Sequence, residues 1–342
     1  MTSYKIALMP GDGIGPELTQ ATLNVLEVTQ KKYDLTLDLT TADAGDMVLK
    51  QRGAALPPDS LQIITQSHAC LKGPVGETAV DVIVKLRQIF DLYANIRPLK
   101  AYPHVPVTNP NIDMVFVREN TEDVYKGLEF TIGADTTVCL RVITRKNCER
   151  IAKKAFETAR LRNGKKKVTA IHKANVMRVT DGLFKEVCAT TAKQYPDIQY
   201  NEMYVDSASM HLIRKPDDFD VVCTCNMFGD ILSDEAAQLI GGLGMAPGAN
   251  IGDNFALFEP IHGCAPDIAG KNIANPISMI LSAKMMLDWL GERYNDQKCL
   301  KAATAIETAV IKTLADGCVV PDLGGTATTK SMAQAIAEVL TI

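Results

Sequence analysis

Two aspartates, Asp230 and Asp234, stand four residues apart in the segment NMFGDILSDEA, directly after the apolar run VVCTC. On a helix this spacing places both carboxylates on one face, at the carboxyl end of the preceding strand. No Lys or Arg lies between Asn226 and Ala237 to neutralise them, and paired carboxylates of this kind suit Mg²⁺ or Mn²⁺. The alternative is an ordinary first helical turn, where Asp is favoured by the helix dipole. The residues alone leave both interpretations open.

Three arginines, Arg87, Arg97 and Arg118, lie within 32 residues at the edges of successive elements. The guanidinium group is suited to two-point recognition of a carboxylate. The cluster therefore predicts either a shared site for a polyanion or three separately solvated side chains.

The glycine-rich segment GDGIGPE, from Gly11 to Glu17, lies between a strand-like run and a helix-like run. A loop in this position can bind phosphate through backbone N–H groups. It fits the dinucleotide-binding pattern poorly, because Pro16 occupies the third glycine position and no acidic residue ends a clear second strand about 20 residues on. A tight turn that serves packing is the favoured interpretation.

Strand and helix signals alternate along the chain, which predicts an α/β fold with a largely parallel sheet. A strand over KIALMPG precedes a helix from Pro16 to Lys31. Further helices are predicted at 60–66, 82–90, 145–162 and 181–194, and from about Ile277, Asp296 and Thr329; strands are predicted at 92–96 and 114–117 and over TTVCLRVI, VTAIH and VVCTC.

A proline-rich run from Pro98 to Asp113 contains four prolines, too many for a helix interior or a central strand. It predicts an irregular crossing and a domain boundary. The following segment is expected to form a second, α+β lobe, which ends near the Gly-rich stretch from Gly241 to Asn254.

The composition restricts the class of protein. The 342 residues carry 36 Lys plus Arg against 40 Asp plus Glu, a net charge of −4, which disfavours nucleic acid and acidic membranes as partners. Nine cysteines without a C-x-x-C motif indicate free thiols in a reducing compartment. With neither a signal-like start nor a long apolar run, a cytoplasmic location is expected.

Eight motifs in order resemble the β-decarboxylating dehydrogenases, the family of isocitrate, homoisocitrate, 3-isopropylmalate and D-malate or tartrate dehydrogenases. They are GDGIGPE, LR-x₉-RP, VRENTEDVY, HKANVM, VDSASM, GDILSDEA, EPIHGCAPDIAGKNIANP and PDLGGTATT. The match runs from Ile6 to the C-terminus. The resemblance is closest to the NAD-dependent isocitrate or homoisocitrate branch.

The resemblance implies a two-domain α/β fold with a large central mixed sheet that is not a Rossmann fold. Residues 1–98 and 251–342 would form a large domain on the cofactor side, and residues 99–250 a small domain with the dimer interface. It also implies a homodimer whose active sites are shared between subunits.

The same resemblance implies a set of site residues. Arg87, Arg97 and Arg118, with Asn120, would hold the substrate. Asp230 and Asp234 would bind Mg²⁺ or Mn²⁺ together with Asp206 of the partner subunit. Tyr125 would protonate the enol, and Lys173 of the partner subunit, close to Asp206, would relay the hydroxyl proton. The loop that would line the adenosine half of the cofactor comprises His262, Gly263, Ala265, Asp267, Ile268 and Asn275.

Asp267 and Ile268 stand where NADP-using relatives tend to carry Lys and Tyr. A carboxylate can accept hydrogen bonds from both ribose hydroxyls of NAD but repels the 2′-phosphate of NADP. NAD is therefore the expected cofactor.

The exact substrate is ambiguous in the sequence. Asn120 stands where many 3-isopropylmalate enzymes have Leu, which favours a charged tail and ranks isocitrate first and homoisocitrate second, ahead of 3-isopropylmalate and malate-type acids. Asp81 and Ile83 replace the Ser and Asn that are typical of isocitrate enzymes. A catalytically silent regulatory subunit is the alternative outside the enzymes, and the presence of all five metal and acid/base residues weighs against it.

Overall fold

The computed structural model describes residues 3–79 and 81–341. In chain order its strands are β1 (Ser3–Met9), β2 (Thr36–Thr41), β3 (Ala69–Lys72), β4 (Ala94–Lys100), β5 (Asp113–Glu119), β6 (Glu129–Ile132), β7 (Thr136–Cys139), β8 (Lys167–His172), β9 (Gln199–Tyr204), β10 (Val221–Thr224), β11 (Pro247–Ile251) and β12 (Ala256–Pro260). The helices are α1 (Gly15–Tyr33), α2 (Asp46–Arg52), α3 (Pro58–Thr65), α4 (Asp81–Ile89), α5 (Arg145–Arg162), α6 (Thr180–Ala192), α7 (Val205–Arg214), α8 (Asn226–Gln238), α9 (Ile277–Tyr294), α10 (Gln297–Ala315) and α11 (Thr329–Thr341).

Ten strands form one mixed sheet in the order β2-β1-β3-β12-β11-β4-β5-β10-β8-β9. The pairings among β2, β1, β3 and β12 are parallel, as are those among β5, β10, β8 and β9. Antiparallel pairings join β12 to β11, β11 to β4 and β4 to β5 in the middle. The expected α/β fold with a large mixed sheet is confirmed.

The helices cover both ends of this sheet through separate apolar cores. The largest core packs α1, α9, α10 and α11 against the β1 side of the sheet. A second core packs α5 and α6 against β5, β8 and β10, with Phe156 and Phe184 at its centre. The largest core also extends to the other end of the sheet, where it includes Phe116 of β5, Ile171 of β8 and Val222 of β10.

The predicted domain limits fall inside strands. Position 98 lies within β4 and position 251 ends β11, and the sheet continues without a break across both. The division into residues 1–98 with 251–342 and residues 99–250 therefore passes through the antiparallel centre of the sheet, and as a division into domains it stays a prediction.

The loop GDGIGPE is a packed turn. The carboxylate of Asp12 accepts hydrogen bonds from the backbone N–H groups of Asp46 (2.7 Å), Met47 (3.1 Å) and Gly76 (2.8 Å). Gly13 has a φ of +57°, and a Cβ there would lie 1.9 Å from the carbonyl oxygen of Cys264. The glycine is required for close approach of two loops, as the packing interpretation predicts.

No helix in residues 3–79 or 81–341 is both long and apolar enough to cross a membrane.

Candidate active site

The three arginines converge on one cavity of about 290 Å³. Arg87 comes from α4, Arg97 from β4 and Arg118 from the end of β5, and their exposed fractions are only 7%, 5% and 1%. Because β4 and β5 are antiparallel neighbours, Arg97 and Arg118 lie close together across this pair of strands although they are 21 positions apart in the chain. The three arginines are therefore buried around one cavity and are not separately solvated side chains.

Asp230 of α8 is the carboxylate at the centre of this cluster. Its Oδ1 accepts hydrogen bonds from Arg118 Nη1 and from Arg97 Nη2 (3.1 Å), and its Oδ2 accepts one from the hydroxyl of Tyr125 (2.5 Å). Burial alone would raise the pKa of Asp230, but the charges of Arg118 and Arg97 outweigh it and lower the pKa to about 2. Asp230 is thus ionised at neutral pH.

Asp234 lies one turn further along α8 and is more open to solvent. Its Oδ1 accepts a hydrogen bond from Arg97 Nη1 (3.0 Å), and 48% of its side chain is exposed. Partial burial raises its pKa from the ordinary value, against the charge of Arg97. The two aspartates share one helix face beside the cavity, as their spacing predicts.

Positive charge in the cluster exceeds the negative charge that faces it. Arg118 donates its Nε (2.9 Å) and Nη2 (2.6 Å) to the neutral Oδ1 of Asn226. Burial and the neighbouring charge of Arg97 lower the pKa of Arg118 to about 9. Because the arginines share carboxylates, some of their N–H donors have no ionised partner. An incoming anion would supply that partner, and its binding is therefore favoured.

Tyr125 lies on a short 3₁₀ turn, Val124–Lys126, that follows Asp123. The guanidinium of Arg118 lies 5.3 Å from the centre of its ring. Burial raises the pKa of Tyr125 above the ordinary value, and the hydrogen bond to Asp230 acts in the same direction. The phenol is therefore protonated at neutral pH and points into the cavity.

Lys173 and Asp206 do not line this cavity. They pair with each other instead, with Lys173 Nζ 2.6 Å from Asp206 Oδ1, and their side chains are 25% and 60% exposed. Within residues 3–79 and 81–341, no three His, Cys, Asp or Glu side chains converge to hold a metal ion.

Asn120 does not line the cavity either. It is 2% exposed, and its amide nitrogen donates to the carbonyl oxygen of Leu92 (3.1 Å) and to Asn250 Oδ1 (2.8 Å). Asn120 follows the last residue of β5. The alternation of side-chain direction along the strand, which turns Arg118 into the cavity, therefore does not determine where the side chain of Asn120 points. Asn120 therefore does not reach the cavity, and its predicted contact with the substrate stays a prediction.

The predicted cofactor loop reaches the cavity at one end only. His262 and Gly263 line it, and burial lowers the pKa of His262, which keeps the imidazole neutral. Ala265 has a φ of +38°, Asp267 is exposed, and Ile268 is partly buried against the main core.

Asn275, the last residue predicted for this loop, is turned inward. It donates to Asp322 Oδ2 (3.2 Å) and accepts from the backbone N–H of Ile277 (3.0 Å) at the start of α9. Its amide therefore stabilises the helix start, and it is 6% exposed.

Several cavity residues carry no recognisable signal in the sequence. Lys72 and Glu259, 187 positions apart, form an ion pair of 2.7 Å in the cavity wall. Behind the wall, Asn250 Oδ1 accepts hydrogen bonds from Arg87 Nε (3.0 Å), Asn95 (2.9 Å) and Asn120 (2.8 Å). Only the sheet order, which places β3, β12, β11 and β4 side by side, brings these residues together.

Comparison with known proteins agrees with this geometry. Residues 5–336 match the family model "Isocitrate/isopropylmalate dehydrogenase". The chain belongs to the isocitrate/isopropylmalate dehydrogenase family. It is 52% identical over 338 residues to the 3-isopropylmalate/3-methylmalate dehydrogenase of Methanocaldococcus jannaschii, with 98% of each chain covered. It is 44% identical over 344 residues to the isocitrate/homoisocitrate dehydrogenase of Thermus thermophilus, with 99% of each chain covered.

A solved structure is similarly close. The isocitrate dehydrogenase of Methylococcus capsulatus superposes with a TM-score of 0.93 at 43% identity, covering 99% of this chain and 100% of that one. Membership of this dehydrogenase family makes the chain an oxidoreductase by class. The relatives carry names of several substrates, so the substrate has to be argued from the site.

Proposed function

We propose that this dehydrogenase oxidatively decarboxylates a 2-hydroxy dicarboxylic acid with an apolar substituent at C3, such as 3-isopropylmalate, and passes the hydride to NAD. The observation that carries the proposal is the composition of one cavity, in which the three arginines, Asp230 and Tyr125 face the apolar side chains of Ile83 and Val84. The charged part suits the two carboxylates of a malate core. The apolar part suits its substituent.

Ile83 and Val84 lie on α4, one turn before Arg87, and form part of the cavity wall. Burying an apolar substituent against them is favourable, whereas a carboxylate there would lose its hydration without a partner. The preference for isocitrate rested on Asn120, which faces Asn250 and Leu92 instead of the cavity. The apolar wall therefore favours a 3-alkylmalate over a substrate with a third carboxylate.

Isocitrate is the second candidate because one more cation, Lys72, lines the cavity. Its ammonium group is already 2.7 Å from Glu259 Oε2 and also donates to the carbonyl oxygen of Gly73 (3.1 Å). A third carboxylate would have to share this ammonium group with Glu259, whose negative charge would repel it. That cost places isocitrate and homoisocitrate behind the 3-alkylmalates.

The donor set beside the arginines fits Mg²⁺ or Mn²⁺. Asp230 is ionised, Asp234 is partly exposed, and both present hard carboxylate oxygens one turn apart on α8. Asp206 of the partner subunit would complete the set. A cation bound there would supply Lewis-acid chemistry, lowering the pKa of the 2-hydroxyl and stabilising the negative charge that develops as CO₂ leaves.

Proton transfer falls to two side chains of different segments. Tyr125, protonated and hydrogen-bonded to Asp230, is placed to donate its proton to the substrate carbon after CO₂ is lost. Lys173 of the partner subunit would take the proton of the 2-hydroxyl during hydride transfer. The arginines would hold the carboxylates of the substrate in place while both protons are transferred.

The loop after β12 fits NAD. His262 and Gly263 border the cavity, and the exposed carboxylate of Asp267 lies further along the same loop. A free carboxylate in this position favours ribose hydroxyls over a 2′-phosphate.

The proposal is tested by incubating the purified protein with 3-isopropylmalate, NAD and Mg²⁺. We expect NADH and CO₂ to form in equal amounts, activity to stop with excess chelator, and Mg²⁺ or Mn²⁺ to restore it. Full activity in chelator, or NADH without CO₂, would contradict the proposed chemistry. Absence of turnover with every 2-hydroxy acid of the family would point to a silent regulatory subunit instead.

A further inference from the structure

Arg141 follows the two-stranded hairpin of β6 and β7 and contacts two buried carboxylates from different segments. Its Nε and Nη2 donate to the two carboxylate oxygens of Asp123, at 2.6 and 3.1 Å. Its Nη1 lies 2.7 Å from Asp181 Oδ1 and donates to Met177 Sδ (2.9 Å). The guanidinium also covers the ring of Phe228 at 4.7 Å. Both aspartates are fully buried.

On one side this contact fixes the segment that carries Tyr125. Asp123 has a φ of 72° and a ψ of −148°, a strained conformation for a residue with a side chain. It is held there by a backbone hydrogen bond to Val142 (2.9 Å) and by side-chain hydrogen bonds from the N–H groups of Val124 (2.9 Å) and Met227 (3.1 Å). The turn that aims Tyr125 at Asp230 begins at this residue.

On the other side it fixes the segment that carries Lys173. Asp181, in the first turn of α6, accepts a hydrogen bond from the backbone N–H of Lys173 (2.6 Å) through Oδ2, while Oδ1 faces Arg141. The side chain of Lys173 then extends to Asp206 (2.6 Å). The position of Lys173 therefore depends on a carboxylate whose charge Arg141 balances.

We propose that Arg141 is a positioning residue that holds the Tyr125 and Lys173 segments in register through Asp123 and Asp181. The inference rests on the proposed function, in which these two residues move the protons. Without the guanidinium, two buried carboxylates face each other's charge with no cation between them, which is strongly unfavourable. Both segments would relax away from their positions.

The arrangement also connects the two active sites of a dimer. Tyr125 would act in its own subunit's site and Lys173 in the partner's. Arg141 therefore joins an element of one site to an element of the other within a single chain, and a change at Arg141 would affect both sites at once.

The test compares Arg141→Gln and Arg141→Lys with matched variants at Arg160. Arg160 also donates two hydrogen bonds to one carboxylate, Asp197 (3.1 and 2.6 Å), and covers an aromatic ring, Tyr195 (4.7 Å), but on the exposed surface. We expect Arg141→Gln to lower kcat at least about tenfold while KM for the hydroxy acid changes less than about threefold, since the binding arginines are intact. Arg141→Lys should recover part of kcat, and Arg160→Gln should match the wild type.

Amide hydrogen exchange of the same proteins gives a readout that does not depend on turnover. We expect Arg141→Gln to speed exchange in the peptides covering 120–127 and 172–178, with Arg160→Gln unchanged. If the wild type turns over none of the acids, the proposed function fails while this measurement still decides the role of Arg141. Should Arg141→Gln not fold, Arg141→Lys is measured in its place. Wild-type exchange in both segments of a folded variant would overturn the proposal.

Hybrids of wild-type and Arg141→Gln chains test the link between sites. If each chain's Tyr125 and Lys173 segments serve different sites, both sites of the hybrid contain one displaced segment. Its specific activity should then fall below the mean of the two parent proteins. Activity equal to that mean would contradict the link.

Discussion

At the scale of single residues, the site is an excess of buried positive charge around one carboxylate. Arg118, the most buried of the arginines, divides its donors between Asp230 and the neutral Asn226. A hydrogen bond from the Arg118 guanidinium to an ionised substrate carboxylate would be stronger than its present hydrogen bonds to the neutral Asn226. The cluster is thus suited to an anionic ligand, and we propose that its apolar neighbours on α4 determine which anion fits.

Cofactor choice is expected to depend on Asp267. The exposed carboxylate would repel the 2′-phosphate of NADP, so kcat/KM for NAD should exceed that for NADP at least about a hundredfold, worth roughly 2.7 kcal/mol. Asp267→Lys with Ile268→Tyr should shift the preference toward NADP in steady-state assays. Asp316→Lys makes the same charge change at the end of α10 and should leave the ratio unchanged. Equal use of both cofactors by the wild type would refute this role for Asp267.

At the scale of elements, Glu122 joins the end of β5 to the start of α5. Its carboxylate accepts hydrogen bonds from the backbone N–H and the hydroxyl of Thr144, both 2.8 Å, and Thr144 is the N-cap of α5. Burial raises the pKa of Glu122 from 4.5 to about 7, and the neighbouring Glu119 acts in the same direction.

A raised carboxyl pKa means that the folded state binds the proton more tightly than the unfolded state. Stability from protonated Glu122 is present below about pH 4.5 and is lost as pH rises to about 7. The side chain in Glu122→Gln does not ionise, so the variant does not lose this stability as pH rises. The free energy of unfolding of the variant, taken relative to that of the wild type, should therefore be higher at pH 8 than at pH 5, by about 2 kcal/mol. Urea denaturation at both pH values measures it, with the exposed Glu186→Gln as control. If the difference in free energy of unfolding between Glu122→Gln and the wild type is the same at pH 5 and pH 8, the raised pKa of Glu122 is ruled out.

The elements differ in how well the sequence predicts them. The long helices and the apolar strands β1, β5, β8 and β10 follow from their periodicity. The strands β11 (PGANI) and β12 (ALFEP) lie in or beside the Gly-rich stretch 241–254, for which no strand is predicted, and β2 (TLDLTT) is mostly polar and exposed. These strands form by pairing with their neighbours in the sheet, and no pattern in the local sequence encodes that pairing. Conversely, TTVCLRVI predicts a longer strand than the hairpin strand Thr136–Cys139, which lacks a packed face.

The same distinction holds for the site. The spacing of Asp230 and Asp234 within one helix predicts their common face, and the motifs identify the arginines. The residues in the cavity wall, Lys72 and Glu259, and Asn250 behind it depend on contacts between strands far apart in sequence. Asn120 lies outside the cavity although its motif predicts a place beside the substrate, because a position beyond the end of a strand has no face fixed by alternation.

At the scale of the whole molecule, the residues proposed to transfer protons and bind the metal do not all line one cavity of the described chain. Tyr125 and Asp230 face it, whereas Lys173 and Asp206 lie outside it and pair with each other. The proposed dimer would complete each site with the partner's pair. Mixing inactive Tyr125→Phe and Lys173→Met chains should therefore restore activity, because one site of each hybrid receives two intact contributions. No recovery, after subunit exchange is shown by mass spectrometry, would mean that each site is built from one chain.

We propose that the apolar cavity wall selects the substrate. The ratio of kcat/KM for 3-isopropylmalate to that for isocitrate, measured under identical NAD and Mg²⁺ conditions, tests this selection. We predict a ratio of at least about a hundred, since a carboxylate desolvated against Ile83 and Val84 costs several kcal/mol. Ile83→Asn should lower the ratio at least about tenfold, whereas Ile89→Asn, an exposed position on the same helix (54%), should not change it. A wild-type ratio below one would contradict the account.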